Sequence, residues 1–254
     1  MATLGIISAL AEEQQGLLER LEQPVCVKRA GREFWHGSYS SHRLVIGLSR
    51  IGKVAAATTS TALIEAFGID ALIFTGVAGG LRQGVNVGDV VVATEFVQHD
   101  MDASPLFPRF EIPLYNQTRM ACDAALTSSL LHAAKHAVSV LKQPLGIAEL
   151  PSHKKAHTGL IASGDRFVSS AAEAHALQAG LLDSGIDAMA VEMEGAAVAQ
   201  VCLDYGIPFG AVRTISDRAD DTAHIDFSLF IREVASPYAM VILDEFLKNY
   251  PVTQ

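Results

Sequence analysis

Short apolar runs alternate along this chain with longer segments whose apolar positions recur at helical spacing. TLGIISAL (3–10) is a β-rich run, and AEEQQGLLERLEQ (11–23) follows with Leu17, Leu18 and Leu21 at a spacing that predicts a helix. EFWHGSY and RLVIGLS predict a strand pair around Ser40-Ser41-His42. VAAATTSTALIEAF (54–67) predicts a helix rich in small residues, stopped by Gly68. ALIFTGVA (71–78) and DVVVATEFV (89–97) are nearly continuous apolar strands. Helices are expected over about 119–141, 170–184 and 227–249. Strands are expected in GLIASGDRF (159–167), AMAVEME (188–194) and FGAVRTISD (209–217), the second passing into the helix GAAVAQVCLDYG.

Continuously apolar strands separated by helices predict a mostly parallel sheet covered on both faces, and so an α/β fold. The 254 residues, half of them hydrophobic, suit a single large domain over 1–254 with a sizeable core. The segment MDASPLFPRFEIPLYNQT (101–118) has three prolines and three aromatics without a period. It and the polar stretch 149–157 read as long loops, which in compact domains tend to be functional or mobile.

Charge narrows the function classes. There are 28 acidic residues against 19 basic ones, a formal charge of −9, and no run of Lys or Arg. A nucleic-acid or membrane-surface partner is disfavoured, and His153-Lys154-Lys155 reads as a solvated loop. Cys26, Cys122 and Cys202 are far apart, without CxxC spacing, and suit small core residues in a reducing compartment. MATLGIISALAEEQ lacks a basic leader and reads as a first strand. No apolar run reaches the ~18 residues of a membrane span. The expectation is a soluble cytoplasmic protein.

In open α/β proteins the functional residues collect at the carboxyl ends of strands. Those ends hold Glu12 and Glu13, then Gly76-Val77-Ala78-Gly79-Gly80, Asp165-Arg166-Phe167, Glu192-Met193-Glu194, and Arg213 with Ser216-Asp217. Each has a plain alternative. Glu12 and Glu13, or Glu192 and Glu194, suit the first turn of a helix. The glycine-rich segment suits a tight turn, being neither GxGxxG nor a P-loop. Ser216-Asp217 suits a helix cap. Together these readings require an acid by chance at four strand ends, so a shared site explains them better. The histidine pairs His132/His136 and His153/His157 have i,i+4 spacing but no internal Glu and no evident third ligand, so no metal is expected. No GxSxG nucleophile elbow is present.

GIISALAEE, IGKVAAA, TGVAGGL, VGDVVVA, SGDRF, VEMEGAAVAQVC and RTISDRAD, in this order and spacing, resemble the purine nucleoside phosphorylase/uridine phosphorylase superfamily. The likeness runs from about residue 4 to 245 and is greatest to its bacterial 5′-methylthioadenosine/S-adenosylhomocysteine nucleosidases. It implies a twisted mixed β-sheet flanked by helices, commonly a homodimer, and hydrolysis of the N-glycosidic bond of an adenine nucleoside, with no cofactor. By the same likeness Asp217 protonates N7 of the leaving purine, Glu13 activates water with Arg213 nearby, and Glu194 grips the ribose hydroxyls. Glu192 is its supporting partner, and Met193 packs on the sugar. Phe167 stacks on adenine, the backbone of Val168 bonds the base edge, and Ser216 orients Asp217. Val77, Ala78 and Gly79 line the site, and Leu10, Ile51 and Phe227 form an apolar pocket for the 5′ substituent.

Two departures bear on this reading. Phosphorylases of the superfamily carry an arginine just before the glycine-rich turn and a small hydroxyl within it, where this chain has Phe74 and Val77. With Ala-Glu-Glu at 11–13 replacing a phosphate-binding pattern, hydrolysis is favoured over phosphorolysis. Nucleosidases, however, often have Ser at the position of Val77, a missing hydrogen bond to the attacking water. The loop 101–118 also matches poorly. With Leu106, Phe107, Phe110 and Tyr115, it falls where the family closes the 5′ pocket, partly across the dimer, which leaves a 5′-deoxyadenosine or futalosine-like substrate open. The alternatives are a phosphate-dependent purine nucleoside phosphorylase and a non-catalytic nucleoside-binding relative.

Overall fold

The computed structural model describes residues 2–141, 154–218 and 227–251. Residues 149–153 of the polar stretch, with His153, and Ala219 and Asp220 of RTISDRAD lie outside the described residues.

The strands are β1 (Thr3–Ser8), β2 (Glu22–Arg29), β3 (Arg32–Tyr39), β4 (His42–Leu48), β5 (Ala71–Gly80), β6 (Val90–Gln98), β7 (Met120–Ala121), β8 (Ala156–Ser163), β9 (Ala188–Glu192) and β10 (Phe209–Asp217). The helices are α1 (Gln15–Leu18), α2 (Lys53–Phe67), α3 (Ala124–Val140), α4 (Ala171–Leu182), α5 (Gly195–Tyr205), α6 (Phe227–Phe230) and α7 (Ser236–Asn249). All ten strands join one sheet in the order β10-β6-β8-β9-β5-β1-β4-β3-β2, with β7 on β6. Because β10 also pairs with β5, the strands β5, β10, β6, β8 and β9 close into a ring, and β1 to β4 extend from it.

The sheet is mixed rather than mostly parallel. β1 runs parallel to β4 and β5, β10 to β5, and β8 to β6 and β9. β10–β6, β2–β3, β3–β4, β5–β9 and β6–β7 are antiparallel. Burial periodicity cannot tell these directions apart in strands covered on both faces.

Alternate residues of each strand feed opposite layers. Ile73, Val92 and Val212 pack with Leu126, Leu130, Ile242 and Phe246 beneath α3 and α7. Phe74, Val91 and Ile161 pack with Leu63, Ile64 and Val198 beneath α2 and α5. α2 ends where expected, with the N–H of Gly68 on Ile64 O at 3.0 Å. The small residues of α5 bring it close to the sheet, and a Cβ on Gly195 would overlap the Phe96 ring.

Three expected helices are cut differently. The helix over 11–23 is reduced to a 3₁₀ turn, Ala11–Glu13, and the single turn α1. Leu17 and Leu21 are buried as their spacing implies, but Pro24 disfavours helix at the preceding residue, and the chain crosses to β2. β2 is a largely exposed edge strand held by pairing with β3, so no buried face announces it. The helix over 119–141 begins only at Ala124, where Asp123 accepts the N–H of Leu126, and Met120–Ala121 pair with β6 instead. The helix over 227–249 is interrupted by a π segment, Ile231–Ala235. Pro237 lies in the first turn after it and has no N–H to continue the i→i−4 ladder.

Candidate active site

The ends of β1, β5, β8, β9 and β10 converge on a cavity of about 480 Å³. The acids the sequence places at these ends separate here. Glu13, Glu192, Glu194 and Asp217 line the cavity and are buried. Glu12 is exposed and lies outside the wall, and Asp165 turns away from it to accept the backbone N–H of Lys53 at 2.7 Å.

Glu13 is held by the chain just before it. The N–H groups of Leu10 and Ala9 donate to Oε2 at 2.9 and 3.0 Å. Oε1 is buried and has no partner among the described residues. Burial raises the pKa to about 7, against the opposing Leu10 N–H and the nearby Arg213 charge. Gly76 allows β5 to pass this close, since a Cβ there would stand 3.2 Å from Oε1.

Glu192 and Glu194 have different surroundings. Glu192 accepts the hydroxyl of Ser163, the N–H of Gly195 at 2.9 Å and Nη2 of Arg213 at 2.7 Å. Arg213 is fully buried; its Nη1 donates to Phe74 O at 3.1 Å, and the guanidinium lies 3.9 Å from the centre of the Phe74 ring. Glu194 stands just before α5 and accepts the N–H of Gly52 at 2.9 Å. Gly52 has φ 95°, a conformation that favours glycine. Burial, and then the neighbouring Glu192 charge, push the Glu194 pKa well above the ordinary carboxylate range.

On the opposite wall the register of β10 against β5 shifts between Ile215 and Asp217. Ser216 Oγ donates to Asp217 Oδ2 at 2.7 Å. Asp217 is therefore fixed at the end of β10, opposite Gly79.

The remaining residues named from the sequence lie in the same wall. Val77, Ala78 and Gly79 come from β5, and Met193 from between the two acids. Phe167 stands half-exposed at the mouth beside buried Val168. Leu10, Ile51 and Phe227 complete the apolar part. In the loop 101–118, by contrast, Phe110 is buried in a separate cluster and Tyr115 OH donates to Asp204 at 2.9 Å. Leu106 of that loop is 84% exposed.

The sequence pattern did not single out Thr75 or Ser163, nor the N–H of Gly52. Ser163 and Gly52 lie inside the quoted segments SGDRF and IGKVAAA, but their partners are far away along the chain. Among the described residues no group of three or more His, Cys, Asp or Glu is placed to hold a metal ion.

The phosphorylase superfamily model matches residues 3–248. The chain belongs to the phosphorylase superfamily. An aminodeoxyfutalosine nucleosidase from Helicobacter pylori is 35% identical over 254 residues, covering 98% of each chain. A 5′-methylthioadenosine/S-adenosylhomocysteine nucleosidase from Staphylococcus carnosus is 34% identical over 246 residues, 97% of this chain and 99% of that one. Among solved structures, the 5′-methylthioadenosine/S-adenosylhomocysteine nucleosidase of Neisseria meningitidis with methylthio-immucillin-A superposes with a TM-score of 0.85 at 33% identity. It covers 98% of this chain and all of that one. The nucleoside phosphorylase-like mixed sheet implied by the sequence is thus the fold of this superfamily member.

Proposed function

We propose that this protein hydrolyses the N-glycosidic bond of a 5′-substituted adenine nucleoside, 5′-methylthioadenosine or S-adenosylhomocysteine, and releases adenine. The observation that carries the reading is Glu13: a buried carboxylate on the cavity wall, with one oxygen unpartnered among the described residues and a pKa near 7. Such a group is matched to taking a proton from water at neutral pH. A carboxylate there also repels phosphate, and Phe74 fills the position of the phosphorylase arginine with an aromatic ring.

In this mechanism Asp217, oriented by Ser216, delivers a proton to N7 of the purine as the C1′–N9 bond breaks and the base leaves with the bonding pair. The ribose develops oxocarbenium character, which the carboxylates beneath it stabilise. Glu194 accepts the ribose hydroxyls, Met193 packs on the sugar, and Phe167 and the Val168 backbone hold the base. Water then attacks C1′ as Glu13 takes its proton. Arg213 acts by holding Glu192 and by its charge near Glu13. Leu10, Ile51 and Phe227 face the 5′ substituent, with Val77, Ala78 and Gly79 as the β5 wall.

Adenine release from 5′-methylthioadenosine and from aminodeoxyfutalosine, each with and without phosphate, tests this reading. Phosphate-independent adenine and free sugar are expected. A sugar phosphate would make the protein a phosphorylase, and binding without turnover would make it a nucleoside-binding relative. The aminodeoxyfutalosine arm is included because a relative so named is 35% identical over nearly the whole chain.

We also read residues 1–254 as one domain, assembled as a cytoplasmic homodimer that takes a small nucleoside rather than a nucleic acid or a membrane as its partner. Supporting this are Leu106 and Leu114 of the 101–118 loop, at 84% and 89% exposure, and cysteines that are all free. No helix among the described residues is long and apolar enough to cross a membrane. Sedimentation equilibrium at micromolar concentration tests the dimer.

A further inference from the structure

Lys53 does not touch the cavity, but it ties together segments that do. Its Nζ donates to Asp100 Oδ1 at 2.5 Å and to Gln98 Oε1 at 3.0 Å, at the end of β6. Its backbone N–H donates to Asp165 Oδ1 at 2.7 Å, in the turn after β8. Asp100 closes the circuit, with Oδ2 accepting the Asp165 N–H at 2.8 Å. Gln98 is itself held by its Nε2 bond to Gln200 Oε1 of α5 at 2.8 Å.

The segments joined in this way carry the site. Immediately before Lys53 come Ile51, in the cavity wall, and Gly52, whose N–H bonds Glu194. Immediately after Asp165 come Arg166, Phe167 and Val168 of the wall. The Lys53 and Asp100 side chains are 16% and 31% exposed, so the tie is partly shielded from water and less weakened by salt than a fully exposed pair. A simple fold-stabilising pair would affect the whole molecule. Here the first backbone donor beside the lysine is the Gly52 N–H, in a glycine-type conformation that lacks a regular ladder to hold it.

We propose that Lys53 is a positioning residue: its ion pair with Asp100 holds the Gly52 N–H on Glu194 and keeps that carboxylate aimed at the ribose. This rests on the proposed role of Glu194. The groups that act on Glu194 are Glu192 from β9, Arg213 from β10, Glu13 from the 3₁₀ turn and the Gly52 N–H. Of these, Glu192 and Glu13 raise its pKa, while Gly52 and Arg213 lower it. Releasing Gly52 removes one of the two opposing influences. The carboxylate then takes up its proton at higher pH and grips the ribose hydroxyls less well.

The test compares Lys53→Met, Lys53→Arg and Asp100→Asn with the wild type. One readout is kcat/KM against pH for adenine release from 5′-methylthioadenosine; the other is binding of methylthio-immucillin-A and of free adenine by calorimetry. Lys53→Met and Asp100→Asn should lower kcat/KM about tenfold, as for loss of a hydrogen bond to a charged group. They should also move its acid limb to higher pH and weaken methylthio-immucillin-A more than adenine. Lys53→Arg should restore most of each effect. Wild-type kcat/KM with an unmoved acid limb in both variants overturns the proposal. If Lys53→Met fails to fold, as judged by thermal melting, Asp100→Asn decides. If the wild type releases no adenine from any nucleoside, the functional reading fails. The binding arm then still judges Lys53, and equal weakening of inhibitor and adenine overturns its role.

Discussion

Arg213 and Glu192 form a buried ion pair, with Nη2 donating to Oε2 at 2.7 Å and the two side chains 1% and 3% exposed. This pair explains why two acids stand two positions apart in the otherwise apolar Ala-Val-Glu-Met-Glu-Gly. Glu192 is saturated by Arg213, Ser163 and the start of α5. Glu194 receives the Gly52 N–H and faces the cavity. One acid builds the floor, and the other is left for a ligand.

Removing the guanidinium strands the Glu192 charge in the interior. Arg213→Met should lower the unfolding free energy by about 3–5 kcal/mol, the range for breaking a buried pair. Urea denaturation measures it. Glu192→Gln added to Arg213→Met should recover part of the loss, because the uncompensated charge is then gone.

Glu13 couples activity and stability to pH in opposite senses. Its pKa rises from 4.5 to about 7 in the folded protein. Below pH 4.5 both folded and unfolded forms are protonated, and the group costs nothing. Between pH 4.5 and about 7 the unfolded chain has ionised Glu13 while the folded protein still holds its proton, so stability falls with pH across that window and levels off above 7. Glu13→Gln should therefore be more stable than wild type at pH 8.5, by on the order of 2–3 kcal/mol, with the gap closing by pH 5. The same ionisation creates the base, and Glu194 must also be ionised to grip the ribose, so wild-type kcat/KM should fall by more than tenfold per unit below pH ~7. Thermal melts and pH–rate profiles check the two limbs.

Asp217→Asn keeps the shape but cannot supply the proton. Adenine release should drop by about 10²–10⁴-fold while methylthio-immucillin-A still binds. Single-turnover kinetics beside calorimetry separate the two. A wild-type rate would remove Asp217 from the mechanism.

Gly76→Ala tests the close approach of β5 to Glu13. The added Cβ would stand 3.2 Å from Oε1 and press on the carboxylate. Turnover should fall by roughly tenfold or more, as geometry at the attacking water is lost. Gly76 has φ 159°, which a side chain rarely adopts, so the melting temperature should fall as well, and the rate is measured well below the melt. An unchanged rate would mean that Glu13 moves without consequence.

Much of the wall of this cavity was legible before folding. Glu13, Glu194, Asp217 and the glycine-rich segment stand at strand ends, and strand ends can be read from apolar runs. What was not legible depended on partners far along the chain. Glu12 and Glu13 are equivalent in sequence, but only Glu13 turns inward to accept the N–H groups of Ala9 and Leu10. The edge strand β2, with its exposed residues and Pro24, gives no burial signal and exists because β3 pairs with it.

The sequence by itself determined the alternation of buried strands and helices, the stops such as Gly68, and which acids stand at the carboxyl ends of strands. These follow from local periodicity and backbone preference, which neighbouring residues encode. Only the tertiary structure decided that β10 pairs with both β5 and β6 to close the ring. It also decided that Arg213 goes to Glu192 and that Gly52, far away in the chain, bonds Glu194. Charge pairing and pKa are set by distance and burial in space, and a linear pattern carries neither.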